Sequence, residues 1–198
     1  MSSEKPEVKA EVKKKKVAWG ISGAGDKIDE FVSVMKDINK EYADKVEIQV
    51  FESKAAETVL KYYGLEAAIK QSFPKVTVEV NANSPFLAAW MQMRKFEFLL
   101  IAPGSSNTVA KISLGIGDTM LTNAASMSLK AFVPVYIVPV DFEAKTVYTK
   151  LPNGKDMKLR IRKEDAENVR KLERMDDVHV FSEPRMIRDV FKEWFGEA

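Results

Sequence analysis

The chain has 198 residues, a net charge of +2, no Cys and one His, with 45% hydrophobic and 30% charged residues. That balance belongs to a globular chain, and at this length one domain is expected. Without Cys there is no disulfide, thiolate nucleophile or Cys-bound zinc or iron–sulfur cluster, and one His excludes a poly-His metal site.

Residues 1–16 hold six Lys and three Glu, so the other 182 residues carry a net −1. The basicity sits in MSSEKPEVKAEVKKKK, which has little to bury and reads as a disordered tail ahead of one domain over 17–198. A near-neutral body offers no basic surface to nucleic acid. The tail lacks the apolar core of a signal peptide. No apolar run approaches the roughly 20 residues of a membrane span. A cytoplasmic protein with no membrane partner is therefore expected.

Residues 17–21 (VAWGI) read as a buried strand, followed by a small-residue turn at 22–25. Ile28, Phe31, Val32, Met35 and Ile38 recur at helical spacing. A second strand spans 46–51, where Ile48 and Val50 alternate. A helix over 55–63 stops at Gly64, a natural cap, and another over 65–73 stops at Pro74. The third strand covers 76–80, followed by a loop at 81–85 and a helix over 86–93. Residues 98–102 (FLLIA) are apolar without a break, as a central parallel strand requires. Two helices, 107–116 and 118–130, part near Gly117, and 135–138 is another buried strand.

The rhythm then changes. Segments 146–151 and 157–161 flank Pro152-Asn153-Gly154, a hairpin signal. A charged helix over 164–175 and a short strand over 178–181 follow. Ser182 is placed to cap a last helix with Pro184 in its first turn. The strand–helix alternation predicts an α/β fold, a three-layer, doubly wound parallel sheet, with a β-hairpin toward the C-terminus.

In such a sheet, ligands bind beyond the C-terminal ends of the strands. Three loops there are rich in small, hydroxyl or amide residues: Ser22-Gly23-Ala24-Gly25, Glu52-Ser53-Lys54, and Pro103-Gly104-Ser105-Ser106-Asn107-Thr108. Each runs into a helix, whose N-terminus presents free N–H groups and partial positive charge to a phosphate. One such loop is an ordinary capped turn; three on one edge point to a phosphorylated ligand. From Gly23 the pattern is Gly-x-Gly-x-x-Ile, with Ile28 where a dinucleotide fingerprint needs a small residue. Glu52 stands where an acid would bind a ribose, which keeps a nicotinamide reading open. No Gly-x-x-x-x-Gly-Lys-[Ser/Thr] is present, which excludes a P-loop.

Residues 17–25 (VAWGISGAG) and 101–123 (IAPGSSNTVAKISLGIGDTMLTN) resemble the flavoprotein family that contains the flavin-dependent cysteine decarboxylases. That family carries a Pro-Ala-Ser-Ala-Asn-Thr loop, then Lys, Gly and Asp-x-Leu-Leu. Here the loop is followed by Lys111, Gly115 and Asp118-Thr119-Met120-Leu121. Segments 78–88, 130–141 and 150–165 resemble its archaeoflavoprotein and dihydromethanopterin reductase branch. The resemblance covers about residues 17–182.

It implies FMN in a Rossmann-like, flavodoxin-like domain that assembles into homo-oligomers, trimers or larger. Carried over by position, Ser22, Gly23, Ala24 and Gly25 cradle the phosphate and Ser53 adds a contact. Ser105, Ser106, Asn107 and Thr108 contact the phosphate, ribityl chain or ring edge. The activity implied is an FMN-dependent oxidoreductase, loaded by ferredoxin or a similar donor and reducing a small acceptor such as a dihydropterin. A decarboxylase or prenyltransferase of the same family, and a flavin electron carrier without a metabolite substrate, are the alternatives. Decarboxylases carry a His in the loop after the third strand and a Pro-x-Met-Asn segment. This chain has Asn81-Ala82-Asn83-Ser84-Pro85 and Pro139-Val140-Asp141-Phe142 there, and lacks the flap Cys.

Other residues have two readings. His179 lies outside the three loops, in a short strand. Trp90, Met91 and Met93 suit core or subunit packing, while Phe86 or Trp90 suits a place near a flavin ring at a subunit interface. Asp141 is a turn residue or an acid near the site, and Lys111 a solvated or cofactor-adjacent lysine. Lys150, Lys155, Lys158, Arg160 and Arg162 form a solvated face or a dock for an acidic electron donor.

Overall fold

The computed structural model describes residues 14–198. Six strands form one parallel sheet: β1 (Lys15–Ile21), β2 (Val46–Glu52), β3 (Val76–Val78), β4 (Leu99–Gly104), β5 (Val135–Pro139) and, last in sequence, β8 (Val178–Val180). Their order is β3-β2-β1-β4-β5-β8, with Ile21 beside Glu52 and Gly20 beside Ile101. Strand order reverses between β1 and β4, the point at which doubly wound sheets open a crevice for ligands.

Alternation along the strands builds two cores. Val17, Trp19 and Ile21 of β1 face one side, and Ala18 faces the other. On the first side lie α1 (Ile28–Glu41), α2 (Lys54–Tyr62), α3 (Glu66–Ser72) and α8 (Ile187–Phe195). On the second lie α4 (Leu87–Gln92), α5 (Ser106–Ser113), α6 (Met120–Lys130) and α7 (Lys163–Leu172). The helical spacing read from Ile28 to Ile38 corresponds to the buried face of α1. Gly64, after α2, has φ +69°, a backbone conformation that glycine adopts without strain. The hairpin, β6 (Thr146–Lys150) paired antiparallel with β7 (Asp156–Arg160), is inserted between β5 and α7.

Three expectations shift. β1 starts at Lys15, inside the segment read as a tail, because pairing with β2 extends to Lys15 beside Val46. Residues 1–13 of that segment lie outside the described residues. β3 stops at Val78, since the N–H groups of Val80 and Asn81 turn back to the Ser84 carbonyl. Ser182 does not cap the last helix: Glu183 precedes a short 3-10 turn (Pro184–Met186), and the Ser182 hydroxyl faces the Met186 sulfur instead.

Candidate cofactor site

The first and third loops are bonded to each other. Ser22 is buried, and its hydroxyl donates to the Pro103 carbonyl at 2.7 Å and accepts from the Ser105 N–H at 2.7 Å. The Ser22 N–H also donates to the Pro103 carbonyl. Ser22 therefore spans the switch point between β1 and β4. The second loop joins through the Ser53 N–H, which donates to the Ile21 carbonyl at 3.0 Å. Gly23 seals that junction: a Cβ there would stand 2.4 Å from Ala55 Cβ and 3.2 Å from the Ala55 backbone. Only glycine lets the β1 loop lie against the start of α2. All nine residues expected to hold a cofactor thus fall on one continuous edge.

Their side chains divide into scaffold and free groups. Ser53 caps α2 by accepting from Ala56, and Ser105 caps α5 by accepting from Thr108. Thr108 is buried, its hydroxyl 3.1 Å from that of Ser105. The Ser106 hydroxyl donates to the Asp141 carboxylate. Among the described residues, the N–H groups of Gly23, Gly25, Ser106 and Asn107 donate to no protein acceptor, and Asn107 is exposed. Free amides at a glycine loop and at a helix N-terminus, with capping hydroxyls between them, suit a phosphate monoester.

Of the supporting residues, Glu79 and Asn123 had no sequence signal, whereas Asp141 was a candidate acid near the site. Glu79, after β3, accepts from the Met120 N–H at 2.7 Å and the Lys54 N–H at 3.2 Å. One carboxylate thus caps the starts of α6 and α2, which lie 41 and 25 residues away in opposite directions along the chain. Asn123 of α6 donates to the Ala82 carbonyl and the Asn83 side chain, fixing the loop after β3. The Asp141–Ser106 bond ties the end of β5 to α5.

Glu52 corrects the nicotinamide reading. Strand β2 runs through this residue, and alternation turns its side chain to the face of Ile48 and Val50. It is only 2% exposed, with Oε1 unpartnered, and burial pushes its pKa up to about 7. A carboxyl packed under α2 and α3 is not at the rim, where a ribose would meet it.

The remaining candidates separate clearly. Met91 is fully buried, whereas Phe86 is 65% exposed, Met93 is also exposed and Trp90 is half-buried. Lys111 pairs with Asp118 at 2.9 Å. His179 is exposed on β8 and stacks on Tyr136, with ring centroids 4.8 Å apart, away from the three loops. No helix among the described residues is long and apolar enough to cross a membrane.

Comparison with known proteins agrees with this architecture. Residues 5–193 match the family described as Flavoprotein. An uncharacterised protein of Methanocaldococcus jannaschii is 43% identical over 175 residues, covering 88% of this chain and 93% of that one. Dihydromethanopterin reductase (acceptor) of the same organism is 29% identical, with 89% and 95% covered. The crystal structure of Burkholderia xenovorans DmrB in complex with FMN, described as a cubic protein cage for redox transfer, superposes with a TM-score of 0.76. That match has 28% identity and covers 91% of this chain and 94% of the other. With its α/β sheet order, its three-loop cradle and this match over nearly its whole length, the chain belongs to the Flavoprotein family.

Proposed function

We propose that this protein is an FMN-dependent oxidoreductase that takes electrons from a redox protein such as ferredoxin and reduces a small acceptor. The relatives named dihydromethanopterin reductase make a dihydropterin the leading acceptor. The observation that carries the reading is the edge where Gly23, Gly25, Ser106 and Asn107 leave their amides free around two capped helix starts. FMN supplies the hydride and single-electron chemistry when bound. In this reading the chain's residues hold and orient it. The amides and the hydroxyls of Ser53, Ser105 and Thr108 surround the phosphate, and Ser22 locks the β1 and β4 loops at their spacing. Asp141 steadies Ser106 from the neighbouring strand.

The decarboxylase alternative loses support at two positions. Asn81 to Pro85 contain no His, and the chain has no Cys for a flap. Exposed Phe86, Met93 and Phe132 support a homo-oligomer, a trimer or larger, that covers these side chains. The exposed strand β7, with Lys158 and Arg160, supports docking of an acidic donor by charge. A cytoplasmic setting, without nucleic-acid or membrane partners, completes the reading.

Anaerobic absorption spectroscopy tests it. Purified protein should take up FMN, be reduced by reduced ferredoxin, and be reoxidised by a dihydropterin. Protein that stays colourless after FMN soaking overturns the reading. Reoxidation by a protein partner alone, with no metabolite turned over, makes the protein a flavin electron carrier. Release of CO2 from a cysteine-containing substrate makes it a decarboxylase.

A further inference from the structure

The cofactor edge is one end of the sheet, and the opposite end carries a pattern of its own. Three helices return to the sheet there through residues in the left-handed region: Arg94 before β4 (φ +52°), Phe132 before β5 (φ +57°) and Asp177 before β8 (φ +59°). Glycine adopts that conformation without strain, and a bulky side chain does not. Each turn instead keeps a charged or aromatic side chain, and all three are exposed. Backbone kept against that cost points to a role for the side chains it displays.

Charge is sorted along this end. On one side, Lys14, Lys15 and Lys16 at the start of β1 line a cleft with Arg94, Lys95 and Glu97. Glu97 pairs with Lys15 at 2.9 Å, whereas Lys14, Lys16, Arg94 and Lys95 enter no ion pair among the described residues. On the other side, Asp177 and Glu193 of α8 line a cleft with His179 and Trp194, and exposed Asp176 directly precedes Asp177. These three carboxylates are also without an ion pair among the described residues. Between the two halves stands Phe132, 77% exposed, with the Arg94 guanidinium 5.9 Å from its ring.

Strand order makes the pattern symmetric. β4 and β5 are neighbours at its centre, with β1 and its cations on one flank and β8 and its acids on the other. Strands lie about 4.8 Å apart, so this four-strand row spans roughly 14 Å. A half-turn about an axis between β4 and β5 exchanges β1 with β8. It lays cations on acids twice over and brings two Phe132 rings together. A uniformly acidic or basic partner would meet like charge on one half. Charge complementarity therefore selects a second copy of this chain.

We infer that the N-terminal ends of the strands form a two-fold contact between copies of this chain, centred on Phe132, with the cations of the β1 side facing the acids of the partner's β8 side. Such a contact is self-complementary, each copy using the same surface. The inference takes up the homo-oligomer of the proposed function and names one of its contacts. It leaves the cofactor edge of both copies open, because the cradle lies at the other ends of the strands.

Sedimentation equilibrium of FMN-loaded protein at low salt tests the contact by charge exchange. One variant combines Lys14→Glu with Lys95→Glu, and the other Asp177→Lys with Glu193→Lys. Each alone sets like charge against like, and should fall to at most half of the native assembly mass with its FMN content unchanged. Mixed in equal amounts, the two should recover the native mass, because each reversed half then meets the other variant's reversed half. The chain has no Cys, so Phe132→Cys introduces a single thiol. At a two-fold axis two such thiols lie within disulfide reach, and mild oxidation should give a covalent dimer. Tyr148→Cys on the exposed hairpin should give none at the same concentration. Native mass kept by either charge variant, a mixture that stays small, or no more dimer from Phe132→Cys than from Tyr148→Cys overturns the inference and leaves the homo-oligomer standing. A native chain that sediments as a monomer overturns both.

Discussion

The cradle and the hairpin meet at the same edge of the sheet and are held in opposite ways. The cradle is pinned from inside: Ser22 is buried, two of its hydrogen bonds are 2.7 Å long, and Gly23 admits no Cβ. Every residue of β7 is exposed, and the Tyr63 hydroxyl, just after α2, donates to the Lys150 carbonyl of β6 at 3.4 Å. Under the proposed function, the edge that holds the cofactor in one geometry is built from backbone and buried hydroxyls, and the face that meets a redox donor is an exposed, charged strand pair. Low local packing is where opening motions are expected.

Substitutions sharpen this contrast in order of size. Gly23→Val should be the most severe. The added side chain overlaps Ala55, costs about 3 kcal/mol or more, and prevents FMN uptake; urea denaturation and flavin content check it. Ser22→Ala leaves the Ser105 N–H without its partner, while the Pro103 carbonyl keeps the Ser22 N–H. A loss of about 1–3 kcal/mol is expected, with weaker FMN binding, since the cradle loops lose both hydroxyl bonds and keep only the backbone one.

Glu52→Gln tests the buried side of the cradle through pH. The folded chain holds the Glu52 proton to about pH 7, whereas the unfolded chain releases it near 4.5. Stability that is fully present below pH 4.5 is therefore lost between pH 4.5 and 7. The Gln variant escapes that loss: it should match the native chain at pH 4 and exceed it by about 1–3 kcal/mol at pH 8. Equal stabilities at pH 8 would show that the carboxyl is solvated.

The smallest structural effect belongs to the hairpin. Lys158→Glu with Arg160→Glu should leave Tm and FMN affinity unchanged, because both side chains are exposed. Donor association should slow by about tenfold at low salt, with the difference fading as salt rises. Stopped-flow reduction by ferredoxin at two ionic strengths reads this out.

Much of the molecule was legible in the residues. Apolar runs such as FLLIA, the spacing from Ile28 to Ile38, and the Asn-Gly turn mark elements through local patterning, which the structure follows to within a few residues. The three loops were legible because small residues directly before a helix carry their geometry with them. What escaped depends on distant partners. Glu79 acts on two helix starts through packing alone, and Asp141, a candidate acid in the sequence, gains its partner Ser106 only because β5 lies beside β4. Glu52 was misplaced for a related reason: its side depends on how far β2 extends, which is set by pairing with β1 and β3. Ser182 failed as a cap because Glu183 and Pro184 open a 3-10 turn one residue later.

The central claim is that backbone amides at this edge hold a flavin by its phosphate. Equilibrium dialysis of FMN against riboflavin tests that claim most directly, since the two differ only in the phosphate. FMN should bind at least about 100-fold tighter, the scale of two charge-assisted hydrogen bonds. Equal affinity for the two, or binding of neither, would contradict it.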